Sequence, residues 1–500
     1  MTDRPQLTSS IPASEWDYCT IKDLVADLRL RRVSALEVLD HTIARIEALD
    51  ARLNAVVVRD FDRAREAAKA ADAALAHGDH RPLSGVPITI KEAFNIAGLP
   101  TTWGSPRFEH FVPAEDALAV SRLKSAGAVV LGKTNVPLAL ADFQSYNDVY
   151  GTTNNPWDVG RSPGGSSGGS AAALAAGFGP LSMGSDIGGS LRVPAHFCGV
   201  YAHKPSLDLV PTRGHSAPPL APLPGNGDLA VIGPMTRTAA DLWLALDVIA
   251  GPDEHAEGVG YRLALPAPRH AHLKDFRVLV VDTHPLIPTG SAVREAIGHL
   301  AERMAKAGVT VSHSSALLPD LAASARLYMR LLTAAKSLSM TSDGFEEAQR
   351  LAAALDPGDD GLGAARARGT VMTHRDWLET DRARAQMWEQ WSTLFCDWDV
   401  VVYPAASVPA FPHDHSLPIE ARHLEVDGNE YPYYDACFAW ADPASTCGLP
   451  ATAAPIDHSP SGLPIGVQII GPYLEDLTTI AFAELLELEF GGFVPPPGYA

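Results

Sequence analysis

One lysine and two serines in this chain are of the residue types that acyl transfer can use. Lys91 closes the apolar run Gly85-Val86-Pro87-Ile88-Thr89-Ile90-Lys91. Ser166 lies 75 residues later, inside Pro163-Gly164-Gly165-Ser166-Ser167-Gly168-Gly169-Ser170. Ser190 follows after 24 more and closes Gly184-Ser185-Asp186-Ile187-Gly188-Gly189-Ser190. A serine hydroxyl attacks a carbonyl only with a base beside it. No histidine accompanies these serines at the spacing of a nucleophile elbow, which disfavours a Ser-His-Asp arrangement. Lysine can be that base when it is neutral, and burial beside apolar groups lowers its pKa. Val86, Ile88 and Ile90 alternate with Pro87 and Thr89, the pattern of a strand that delivers Lys91 at its end. Most lysines just past a strand are solvated. The two serine motifs downstream argue against that reading here.

Glycines 164, 165, 168 and 169 allow backbone angles closed to other residues. The same run could be a flexible linker. It leads, however, straight into Ser170-Ala171-Ala172-Ala173-Leu174-Ala175-Ala176-Gly177, a small-residue helix with a glycine stop. A phosphate-binding loop fails because no Gly-Lys-Ser/Thr follows. After Asp186, glycines 188 and 189 let the backbone approach a substrate. The N–H groups of Ile187, Gly188, Gly189 and Ser190 are then expected to form an oxyanion hole, and Asp186 with Arg192 is expected to support the loop as an ion pair.

The order and spacing of these motifs resemble the amidase signature family, whose members hydrolyse C–N bonds with a Ser–Ser–Lys triad. Further segments are similar to that family: Lys133-Thr134-Asn135-Val136-Pro137, Tyr150 to Trp157, Arg192 to Val200, Lys204-Pro205-Ser206, Asp399 to Pro404, Gly448-Leu449-Pro450-Ala451 and Gly462 to Pro472. The resemblance implies Ser190 as nucleophile, Ser166 as a proton relay on a cis peptide, and Lys91 as base, with no metal or organic cofactor. It also implies an α/β fold with a large mixed central sheet covered by helices on both faces. The chain departs from the family pattern at Leu138, where many relatives carry glutamate, at Asp208, near which a glycine is usual, and at Ser185, which replaces threonine. The first two departures touch substrate-facing loops, so the substrate does not carry over from a relative.

Leu140, Ala141, Asp142, Phe143 and Gln144, together with the proline-rich Ser216 to Gly227 loop, are the candidate pocket residues. Being mostly small and apolar, they suit a neutral, hydrophobic or aryl amide or carbamate. The family includes aryl acylamidases, and the chain resembles its bacterial amidase and urethanase branch most. The principal rival is the A subunit of glutamyl-tRNA amidotransferase, which depends on partner chains. Against it, Asp228-Leu229-Ala230-Val231-Ile232-Gly233-Pro234 replaces the Ser-Leu-Asp-Gln-Ile-Gly-Pro typical there, and Val136–Ala141 lacks its Met-Asp-Glu-Phe-Ala-Met segment. A scaffold that has lost turnover is a second rival, countered by the intact Lys91, Ser166 and Ser190.

With 500 residues, 46% of them hydrophobic, the chain can bury a large core. The motifs run unbroken from Lys91 to Gly471, so residues 1–500 are expected to form one domain. Within it, 1–80 reads as a helical N-terminal region and 81–250 as the catalytic core. Residues 251–395 form a variable, mostly helical cap-like stretch, and 396–490 the closing strands and helix. The formal charge of −20 argues against nucleic acid or an anionic membrane as partner. A small-molecule substrate and a monomer or homodimer are expected instead. Cys19, Cys198, Cys396, Cys437 and Cys447 show no Cys-x-x-Cys spacing, consistent with reduced thiols in the cytoplasm. Met1 to Pro5 lacks the apolar core of a leader, and no uncharged stretch reaches membrane-spanning length.

Thr20 and Ser34, each with an acid three residues on, read as helix N-caps. Arg59 to Ala76 reads as an exposed helix, Ala128–Leu131 and Val278–Val281 as buried strands, and Leu321 to Leu338 as a long helix. Asp356 to Gly361 reads as a break. His413-Asp414-His415 lacks a third ligand and is not taken as a metal site. Trp377, Trp388, Trp391 and Trp398 are expected to anchor helix packing.

Overall fold

The computed structural model describes residues 13–225 and 227–499. The reading of Met1 to Pro5 lies outside them, as does Asn226 of the proline-rich loop. An eleven-stranded mixed sheet organises the chain. Its spatial order is Val56–Arg59, Val129–Thr134, Pro87–Lys91, Leu181–Asp186, Val231–Thr236, Tyr201–Lys204, Ala451–His458, Pro464–Ile470, Val400–Pro404, Arg277–Val280 and Thr310–Ser312. Pairing is antiparallel through the middle. It is parallel where Pro87–Lys91 meets its two neighbours and where Arg277–Val280 meets its own.

Helices cover both faces, so the strands bury side chains on both. Val400 and Val402 join one apolar cluster, while Val401 and Tyr403 between them join the other. This explains the near-continuous apolar runs, since a sheet sandwiched between helix layers has no polar face. Val278–Val281 alternate in the same way, whereas Ala128, Val129, Val130 and Leu131 are all buried in the first cluster. Four expected details of the helices are present. Thr20 accepts from the Asp23 N–H, Ser34 and Glu37 form a capping box, Gly168–Ala175 is a buried small-residue helix, and Gly177 ends it at φ +77°.

The opening region is helical, with one exception. Val56–Arg59 is an edge strand paired with Val129–Thr134, and the Asp50 carboxylate accepts from the N–H groups of Ala55 and Val56 at its start. Three consecutive valines favour extended backbone, and the antiparallel partner overrides the helical context. The flanking helix accordingly begins at Phe61, and it buries one stripe through Ala64, Ala68 and Leu75.

The 251–395 stretch carries the Arg277–Val280 and Thr310–Ser312 strands. It then runs through helices Leu321–Ser337, Ser342–Ala353, Leu362–Thr370 and His374–Asp397. Trp391 is fully buried, and Trp377, Trp388 and Trp398 pack against the same cluster. His415 stacks on Tyr146, and His413 Nε2 lies 3.1 Å from Asn154 Oδ1. Among the described residues no helix is long and apolar enough to cross a membrane.

Candidate active site

The Pro87–Lys91 strand ends with the lysine aimed into the protein, at 0% exposure. The neighbouring Leu181–Asp186 strand runs parallel in the register Ile90↔Met183, which brings Ser185 and Asp186 level with that end. Burial pushes the Lys91 amine down to about 7, with the Asp186 charge opposing it. Nζ lies 2.7 Å from Ser166 Oγ, 2.9 Å from Ser185 Oγ and 3.0 Å from Ser167 Oγ. A neutral amine has two N–H donors and one lone pair. Ser167 spends its own proton on Ser185 O at 3.3 Å, so it accepts from Lys91. Ser166, whose hydroxyl has no other partner among the described residues, suits the lone pair. Ser167 and Ser185 are not legible in the sequence as lysine partners. Strand register brings Ser185 there, and the glycine loop that carries Ser166 brings Ser167.

The Gly165–Ser166 peptide is cis. Glycine at 165 is required by close approach. A Cβ there would lie 2.3 Å from Asp142 O and 2.7 Å from Gln144 N. The loop is pinned further by Ser145, whose hydroxyl donates to Gly164 O and accepts from Gly168 N. Ser167 N–H donates to Ser190 O at 3.2 Å, which ties this loop to the 187–190 loop. No direct Ser166–Ser190 hydroxyl hydrogen bond is present among the described residues.

In the 187–190 loop one expectation is corrected. The Gly189 N–H donates to Asp186 Oδ1 at 2.8 Å and is engaged, because the tight turn aims it back at that carboxylate. Among the described residues the Ile187, Gly188 and Ser190 N–H groups have no partner. Asp186 also accepts from Leu191 N–H and from two nitrogens of Arg192. Burial opposes its ionisation, but the Arg192 charge and these hydrogen bonds prevail and hold it at about 2. Arg192 reaches on to Gln468 Oε1 at 2.7 Å, Ser445 Oγ at 2.9 Å and Ala441 O at 3.0 Å. The loop is thus fastened to the closing strands by residues far away in sequence. Tyr328, from the Leu321–Ser337 helix, donates to Ile187 O at 3.0 Å.

The five candidate pocket residues separate. Phe143 packs edge-on against Phe438, with centroids 4.9 Å apart, and lies beside Gly189. Tyr434 donates to Ala141 O. Leu140 is half-buried at φ +58°. Asp142 and Gln144 instead serve structure. Gln144 exchanges two hydrogen bonds with the Asp414 backbone. Asp142 pairs with Arg422 at 2.7 Å and accepts from Tyr433 Oη at 2.7 Å, with both charged side chains nearly inaccessible. Replacing Arg422 with Met would leave a buried unpaired carboxylate, and a loss of about 3–5 kcal/mol is expected. Urea titration should show it, and adding Asp142→Asn should recover part of it.

At the start of the proline-rich loop, His215 packs on Phe94 and Trp103. Burial and then the nearby Lys91 charge push its pKa down to about 3, so its imidazole is neutral beside the site. A cavity of about 360 Å³ lies between the Leu321–Ser337, Ser342–Ala353 and Leu362–Thr370 helices and the Tyr433–Phe438 helix. Leu332, Met340, Ala348, Leu351, Tyr434 and Phe438 supply apolar wall, and Lys336, Arg366 and Glu420 add charges. Phe438 connects it to the loop, since a Cβ on Gly188 would lie 2.5 Å from that ring.

Comparison with known proteins gives a consistent picture. The family model described as Amidase matches residues 37–480. The chain is 32% identical over 509 residues to the A subunit of glutamyl-tRNA(Gln) amidotransferase from Anaeromyxobacter sp. strain K, covering 98% of this chain and 99% of that one. It is 33% identical over 481 residues to the indoleacetamide hydrolase of Bradyrhizobium diazoefficiens, covering 94% and 86%. Among solved structures, an inhibitor-bound vestigial protein complex, described as revealing the evolutionary origins of an s-triazine catabolic enzyme, superposes with a TM-score of 0.78 at 29% identity, over 94% of this chain and 98% of that one.

Proposed function

The chain belongs to the amidase signature family, enzymes that act on C–N bonds, and we propose that it is a free-standing hydrolase of small hydrophobic or aryl amides and carbamates. The observation that carries this reading is the Lys91 amine, buried, held near neutrality at about 7 and 2.7 Å from Ser166 Oγ. A lysine in that state can accept a proton at physiological pH. In the proposed sequence Ser190 passes its proton to Ser166 while Ser166 passes its own to Lys91. Ser190 Oγ bonds to the carbonyl carbon, and the oxyanion forms against the free N–H groups of Ile187, Gly188 and Ser190. The C–N bond then breaks as Ser166 returns a proton to the nitrogen. Water repeats the cycle on the acyl-enzyme. Catalytic hydrogen bonds often tighten only once substrate is bound, which accommodates the missing Ser166–Ser190 contact.

The mostly apolar cavity that ends on Phe438 suits an aryl or alkyl body, and the likeness to an indoleacetamide hydrolase supports an aryl-bearing amide. The likeness to the A chains of amidotransferases keeps a partner-dependent glutaminase as the second reading. The Asp228–Pro234 sequence and the absence of the Met-Asp-Glu-Phe-Ala-Met segment weigh against it. The test is turnover of a 4-nitroanilide beside an aryl carbamate. Hydrolysis of either without added chains is expected. Failure of both, with ammonia released from glutamine only when partner chains are supplied, would establish the second reading instead.

A further inference from the structure

We infer that Tyr328 is the positioning residue of the oxyanion hole, acting through the Ile187–Gly188 peptide. A peptide group is planar and, when trans, its C=O and N–H point in opposite directions. Ile187–Gly188 is not among the cis peptides. Tyr328 Oη donates to Ile187 O at 3.0 Å, so fixing that carbonyl on one side fixes the Gly188 N–H on the other. That N–H has no protein partner among the described residues and belongs to the set proposed to receive the oxyanion. The loop offers little else to hold this peptide. Asp186 fastens the Gly189 and Leu191 N–H groups, and the Ile187 side chain is only half-buried.

The tyrosine is itself held hard. It is 0% exposed, and it packs on Phe438 with centroids 5.9 Å apart. One turn earlier on the same helix face, Ser324 Oγ donates to the Asp442 carboxylate at 2.7 Å. Burial raises the tyrosine pKa well above its ordinary value, so the hydroxyl remains a donor at every working pH. A side chain at 188 would collide with this arrangement, since a Cβ there would lie 2.5 Å from Tyr328 Oη. The same helix face continues, at four-residue steps, through Leu332 and Lys336 into the cavity wall. The 251–395 stretch thus reaches the 187–190 loop through Tyr328.

The inference rests on the acyl-enzyme reading, and the experiment separates the two. Wild type, Tyr328→Phe and Ser190→Ala are compared on a 4-nitroanilide for kcat, KM and pH profile, and for inhibition by an aryl boronic acid, which forms a tetrahedral serine adduct. Tyr328→Phe keeps the ring and removes only the hydroxyl. A positioning role gives a kcat about 10–100-fold lower, short of the ~10²–10³ for losing a hole donor outright. KM should stay within about twofold, boronate affinity should fall in step with kcat, and the pH profile should keep its midpoint. A kcat within twofold of wild type, or a change confined to KM, would overturn the inference while leaving the acyl-enzyme intact. Undiminished turnover by Ser190→Ala would remove the reading beneath it. Should Tyr328→Phe fold poorly, kcat is counted per boronate-titrated site, where the same fall of about 10–100-fold sustains the inference and a value within about twofold of wild type overturns it.

Discussion

Ser190→Ala is expected to lower kcat by about 10⁵–10⁶-fold, the scale seen when a hydrolase loses its nucleophile. The structure makes this a clean experiment. Ser190 is 7% exposed and its hydroxyl has no hydrogen-bond partner among the described residues, so removing it leaves no buried group unsatisfied. Its backbone carbonyl still accepts from Ser167 N–H. The melting temperature should therefore stay within a degree or two while turnover disappears, and that dissociation separates a chemical role from a structural one. Intact mass after brief exposure to substrate should show an acyl adduct on wild type alone. An adduct persisting on the alanine variant would place the nucleophile elsewhere, and Ser166 would be the next residue to replace.

The parts of this site that are legible in the sequence are those whose chemistry is local. Ser166 among glycines, Ser190 after Ile187-Gly188-Gly189 and the apolar strand before Lys91 each declare themselves within ten residues. What cannot be read depends on register and on contacts between distant segments. Ser185 faces Lys91 because two parallel strands align Ile90 with Met183. Gln468 reaches Arg192 from a strand 276 positions away. Asp142 sits in an apolar stretch that reads as a pocket, yet it is a buried carboxylate whose partner, Arg422, lies 280 positions further on. The one signal for it is physical: a carboxylate among apolar neighbours demands a cation. Tyr328 leaves no trace, because a tyrosine in a long amphipathic helix is usually a core residue and only the hydroxyl's destination distinguishes it. The Val56–Arg59 strand escapes for the converse reason, a short β-branched run being outweighed by helical flanks on both sides.

The second large effect concerns Lys91, whose lowered pKa makes two separate predictions. For activity, the proton-accepting form is neutral lysine. The kcat/KM of wild type should therefore be fully developed above about pH 7 and fall roughly tenfold per unit below it, as the amine takes up a proton. Lys91→Met should lose about 10²–10⁴-fold at the plateau, the usual share of a general base, and with it this limb of the profile. Lys91→Arg, permanently charged, should do no better despite conserving the cation. For stability, the sign follows from proton counts. Between about pH 7 and the ordinary lysine value near 10.5, the unfolded chain binds a proton at Lys91 that the folded protein does not. Stability must therefore rise with pH across that window and decline as pH falls toward 7. Lys204, also pushed down to about 7 by burial, and Lys133, at about 8, add to the same slope. Urea midpoints at pH 7.5 and 9.5 should increase in wild type, and Lys91→Met should reduce the increase without abolishing it. An activity limb that survives in Lys91→Met would mean that another group carries the proton. A stability slope unchanged by the same variant would mean that the amine is solvated in the folded chain, and a solvated lysine near 10.5 could not serve as the base at neutral pH. The burial of this one amine is therefore the physical condition on which both the mechanism and the pH dependence of the fold depend.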